Sequence, residues 1–217
     1  MERYFIFDKY NTYADWKLIV TAKEISSPEI KTKYVEIDGM SGSLDLTESL
    51  SGSVTYKDRP LTTSFWTDYG KRKDREDLFR KIQTALHGRK VKIIEPDDPD
   101  HYYLGRINIK SKSNTIAYMT FNIEATCEPW RYAIEETTRD ITVNNNDVSI
   151  VIHNNGAKKL TPVITVNGNV TLTVKDVSTT LSTGVYTVSN IELEYGANII
   201  NVSGKGSVRF CYREADL

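Results

Sequence analysis

One stretch of the 217 residues repeats its apolar side chains with a helical period. In DREDLFRKIQTALHG (74–88), Leu78, Phe79, Ile82, Ala85 and Leu86 form a single stripe. Asp74 is the expected N-cap and Gly88 the expected C′ residue, which places a helix over about 74–87. The other apolar segments are short or alternate with period two. A chain with one helix and many alternating segments is read as mainly β.

The segments around the helix alternate clearly. KYVEID (33–38) puts Val35 and Ile37 on one face of a strand. SLDLTESLSGSVTYKDRPL follows, with Leu44, Leu46, Leu50, Val54 and Tyr56 set between Gly/Ser turns. After the helix come RKVKIIE (89–95), YYLGRINIKS (102–111) and TIAYMTFNIEAT (115–126). In the last of these Ala117, Met119, Phe121, Ile123 and Ala125 share a side. The segment between the first two, EPDDPD with His101, joins two strands of an antiparallel meander. Pro96 and Pro99 fix φ, and the three aspartates bond readily to nearby backbone, as a sharp turn requires.

Composition changes near residue 130. Residues 1–130 hold 20 basic and 20 acidic side chains and all three tryptophans, against 8 and 9 charges of either sign in 131–217. EPWRYAIEE (128–136) is therefore the expected boundary between a domain over 1–130 and one over 131–217. The second region shows only strand patterns: DITVNN, VSIVIHN, TPVITV, NVTLTV, GVYTVS, ANIINV and GSVRFCYR. VNGN (166–169) reads as a hairpin, because Asn-Gly tolerates positive φ at both central positions. SGKGS (203–207) reads as another strand-connecting turn: it lacks phosphate-loop spacing and no helix follows it. Short, evenly spaced strands indicate a β-sandwich or jelly roll.

No motif for catalysis emerges. His87, His101 and His153 stand apart and Cys127 has no CxxC partner, so no zinc set forms. The acidic run lacks the spacing of a calcium loop. GMSGS (39–43) lacks nucleophile-elbow spacing, and nothing among the carboxylates singles out a hydrolytic pair. KRKDR (71–75) runs straight into DRED and reads as a solvated helix entrance. Net charge of −1 offers no general attraction for nucleic acid or an anionic membrane. The opening MERYFIFDKYNTYADWKLIV is read as neither signal peptide nor membrane span, and Cys127 and Cys211 as reduced thiols in or near a core, with a disulfide as the alternative. No cofactor is expected.

The order of elements resembles the distal tail protein (Dit) family of long-tailed siphophages and related prophages. The resemblance is carried by YVEIDGMSGSLDLTESLSGSVTYKDRPLTTSFW (34–66): Gly39 and Gly42, the Asp45–Leu46–Thr47 step, Tyr56 and Arg59, then Phe65. It continues through LHGRKVKI (86–93), the Asp-rich loop, YYLGRI (102–107), CEPWRY (127–132) and the tail GKGSVRFCYREADL (204–217). It implies an N-terminal β-rich, sandwich or split-barrel-like domain with one α-helix, and a C-terminal galectin-like β-sandwich. It further implies a homohexameric ring at the virion tail tip, assembled in the host cytoplasm. That ring joins the tail tube protein to the tail-associated lysin or fibre protein and to receptor-binding parts, and catalyses nothing. Within this reading Glu95, Asp97, Asp98, Asp100 and His101 form a candidate contact loop towards a neighbouring subunit or tail protein, with a solvated turn as the alternative.

Two rivals remain. A module binding a host cell-wall glycan would need aromatic platforms, and the second region offers Tyr132, Tyr186, Tyr195, Phe210 and Tyr212 but no tryptophan. A hydrolase would need the motifs that are missing.

Overall fold

The structure, a computed structural model, describes residues 4–217, so the first three residues of the opening segment lie outside those described. It is mainly β. Contacts divide the chain into two units, Met1–Arg131 and Tyr132–Asp216.

The first unit contains β1 (Ile6–Phe7), β2 (Tyr10–Asn11), β3 (Ile19–Ile25), β4 (Tyr34–Glu36), β5 (Ser43–Asp45), β6 (Arg59–Thr67), α1 (Arg72–Leu86), β7 (Lys90–Glu95), β8 (Asp98–Asn114) and β9 (Met119–Ala133). Seven of the eight strands of one antiparallel sheet run in the order β2-β1-β7-β8-β9-β6-β3, and β4 and β5 form a separate ribbon. Helix α1 lays Leu78, Phe79, Ile82 and Leu86 on the sheet, with Phe79 edge-on to Phe121 at 5.3 Å. Met119, Phe121, Ile123 and Ala125 of β9 are all buried beneath it. Each buried Leu, Ile, Phe or Met side chain here contributes roughly 1.5–3 kcal/mol.

The helix begins earlier than its apolar stripe suggested. Lys71 is the N-cap, and Asp74 sits at N3, where its carboxylate accepts the Lys71 N–H at 2.8 Å. An acid at that position satisfies an otherwise free donor and favours the positive end of the helix. Gly88 takes the left-handed C′ conformation with φ 77°. Ala117 is exposed rather than core, because residues 115–118 form the turn between β8 and β9.

The second unit contains β10 (Thr137–Asn144), β11 (Val148–Asn154), β12 (Val163–Val174), β13 (Val177–Leu181), β14 (Gly184–Thr187), β15 (Gly196–Tyr212) and β16 (Ala215–Asp216), which pairs with β9. Strands β12 and β15 are long and pair along eleven positions. β11 and β13 flank one half of this pair, β10 and β14 the other. Ile152, Leu172 and Val202 of one half meet Val143, Ile164 and Phe210 of the other in a single core. The sheet therefore curls on itself into a sandwich.

This corrects two expected turns. VNGN lies inside β12 and SGKGS inside β15. Gly168, Gly204 and Gly206 face the partner backbone at the bend, with φ of 108°, 102° and 156°. Glycine there permits close approach and sharp coiling of continuous strands. The two-residue hairpin is instead at Lys175–Asp176, with φ of 47° and 67°, and leads into β13, a strand not anticipated.

Candidate assembly surface

Between the end of β3 and the start of β6, the chain leaves the sheet as an arm. Its root is held by paired backbone: Lys57 N–H donates to Glu29 O at 2.7 Å and Lys31 N–H to Thr55 O at 2.8 Å. Further out, Leu46 N–H reaches Lys33 O at 2.8 Å, and β4 pairs with β5 from Tyr34↔Asp45 to Glu36↔Ser43. Gly39 and Gly42, each at φ 84°, turn the tip.

The alternation in this segment implied a half-buried strand, and the structure differs. Every residue from 31 to 45 is exposed. Tyr34 is 61% exposed, Met40 50% and Leu50 94%. Val35, Ile37 and Leu44 are exposed too, because no sheet or helix among the described residues covers the ribbon. A free two-stranded ribbon is marginal in water. One carrying this much apolar surface marks a site of association.

The acidic segment is tied to β3 through Lys23 and to β9 through Arg131. Glu95 pairs with Asp98 across a two-residue turn, Pro96–Asp97, so the loop is shorter than 95–101 and Asp98 to His101 already belong to β8. Lys23 of β3 pairs with Glu95, and with Asp97 at 2.6 Å. Asp98 accepts from Arg131 at 2.9 Å and lies 2.8 Å from His101 Nδ1. Burial acts against the Lys23 charge, but bonds to Asp97 and Glu95 outweigh it and raise the ammonium pKa. Asp100 is exposed.

The aromatic and basic residues that carried the resemblance meet at the same end of the sheet. Arg59, 4% exposed, lies over the Tyr103 ring at 5.2 Å. Tyr56 packs edge-on against Trp130 at 5.6 Å. These pairs link the chain where it leaves the arm to β8 and β9. Sequence reading picked out Glu95 but not its partner Lys23, which lies 72 positions away along the chain.

No cluster of three or more His, Cys, Asp or Glu with metal-binding geometry occurs among the described residues, and no helix there is long and apolar enough to cross a membrane. In the second unit Phe210 and Tyr212 are buried and Tyr186 bonds to the Ser182 carbonyl at 3.1 Å. Lys158 lies over the Tyr132 ring, which leaves Tyr195, 74% exposed, as the open aromatic face.

No family profile matches the chain, and no curated protein matches it. Among solved structures it is similar to SPP1 Dit (gp 19.1), described as a paradigm of hub adsorption apparatus in Gram-positive-infecting phages. The two are 16% identical, with a TM-score of 0.69 over 98% of this chain and 99% of that one. Along essentially its whole length, this chain has the fold of SPP1 Dit.

Proposed function

We propose that the protein is the structural hub of a long, non-contractile phage tail tip. It forms a ring, of six subunits by resemblance, that joins the tail tube protein to a tail-associated lysin or fibre and to receptor-binding components. The observation that carries this reading is the end-to-end fold similarity to a hub protein, with neither chain leaving a substantial part unmatched. The exposed apolar arm supports it, since a ring needs two different complementary faces on each subunit.

In this reading residues 1–130 build the ring. Glu95, Asp97, Asp98 and His101 are held to the sheet through Lys23 and Arg131. Asp100 stays available for contact with the neighbouring tail protein. The role requires no cofactor and no chemical step.

Co-expression with the adjacent tail tube and lysin or fibre proteins tests it. The expected result is a co-purifying assembly containing a ring of this chain. A chain that binds none of them, and instead is retained on cell-wall glycan as a monomer, overturns the hub reading.

A further inference from the structure

The arm and one other surface of the same unit are chemically complementary. Between Lys33 and Lys57 the chain has four carboxylates, Glu36, Asp38, Asp45 and Glu48, and no basic residue. They accompany Tyr34, Ile37, Met40 and Leu44, all exposed. Glycine turns and paired backbone hold the ribbon extended. Ten residues from root to tip reach roughly 30 Å, enough to lie across another molecule.

The complement is an open groove of about 410 Å³ between β2 and α1. Arg80, Lys81 and Arg89 rim it, while Tyr10 and Ala85 line its apolar part. Tyr10 stacks on Trp16 at 5.0 Å, which fixes the ring, and Lys9 Nζ lies 5.3 Å from its centre. Asp77 pairs with Arg80, leaving the groove with an excess of positive charge. An apolar floor beneath a cationic rim suits an acidic ribbon with an apolar face. The arm does not occupy this groove in its own chain, where residues 31–45 are all exposed.

We propose that the acidic arm of one copy docks in the basic Tyr10–Arg89 groove of a second copy. The inference rests on the ring reading and specifies its joint. Arm and groove are different surfaces, so each subunit donates one contact and receives another, as a head-to-tail ring demands. The charges select register and partner, and the apolar contacts supply most of the burial.

Charge reversal tests the joint. One variant carries R80E, K81E and R89E; the other carries E36K, D38K and E48K. Asp45 is left intact because its carboxylate accepts the Thr47 N–H within the arm at 2.9 Å. All six substituted side chains are exposed, and circular dichroism checks that each variant is folded. Sedimentation should show self-association weakened more than tenfold in each variant alone. Mixing the two should restore it, since both resulting junctions pair opposite charges. As a second measurement, Met40→Cys with Thr84→Cys, in a Cys211→Ser background, should give disulfide-linked multimers under oxidation. Wild-type rings that persist unchanged in both charge variants, with no cross-link, overturn this joint and leave the ring reading standing. A wild-type chain that stays monomeric at high concentration overturns both.

Discussion

The buried guanidinium of Arg75 donates at 2.8 Å to the carbonyl of Ile116, a residue whose own side chain is 91% exposed. The same guanidinium also reaches Thr115 O, Gly70 O and Asn114 Oδ1. One side chain of α1 thus ties the β8–β9 turn to the helix entrance. Arg75→Met should cost roughly 1.5–3 kcal/mol, because it removes all four hydrogen bonds that the buried guanidinium donates. Arg75→Lys should rescue little, since an ammonium cannot reproduce the planar fork. Urea denaturation of the three proteins checks this, and equal midpoints would contradict it.

Ile82 is fully buried in the stripe that α1 lays on the sheet. Ile82→Ala should destabilise by roughly 2–5 kcal/mol through lost burial and the cavity left behind. An unchanged denaturation midpoint would remove the stripe from the core.

In the second unit, a methyl group on Gly168 would come within 2.8 Å of Gly206 Cα and would also meet the Lys205 carbonyl. Its φ of 108° is strained for any side chain. Gly168→Ala should therefore cost roughly 1–3 kcal/mol. Gly39→Ala meets no atom within 4 Å and tests positive φ without a clash. If Gly168→Ala is no worse than Gly39→Ala, close strand approach is not the constraint.

Burial pushes the Cys127 thiol from its ordinary value near 9 up to about 12, with Arg59 opposing and Asp58 and Glu128 adding to the rise. At neutral pH the group is a protonated, unreactive thiol. In native protein a thiol reagent should modify Cys211 and spare Cys127, which should react only on unfolding. Between about pH 9 and 12 the unfolded chain releases this proton while the folded chain keeps it. The folded state then binds more protons, so stability falls as pH rises through that window. Tyr103, raised chiefly by burial, acts in the same direction. A denaturation midpoint constant from pH 8 to 10.5 would contradict this.

The mainly β class and the single helix were legible in the sequence because period is a local property. The stripe through Ile82 and the alternation through Phe121 required no knowledge of partners. The arm was misread for the same reason. Val35, Ile37 and Leu44 alternate as a half-buried strand does, and sequence cannot tell whether the covering surface belongs to the same chain. Gly168 and Gly206 looked like turns because glycine marks bends of every kind. Only the pairing of β12 with β15 reveals a bend within continuous strands. The acidic residues of 95–101 were conspicuous, yet Lys23 and Arg131, which hold Glu95 and Asp98, lie far away along the chain.

The central claim is that this chain assembles through its arm into a hub ring. The most direct measurement is the mass of the purified protein by light scattering over a range of concentrations, with negative-stain images, for wild type and for a chain whose arm residues 34–45 are replaced by a short Gly/Ser turn. The account predicts closed rings for wild type and a folded monomer for the shortened chain. A wild type that stays monomeric at high concentration and in the presence of its tail neighbours, or a shortened chain that still forms the same rings, would contradict it.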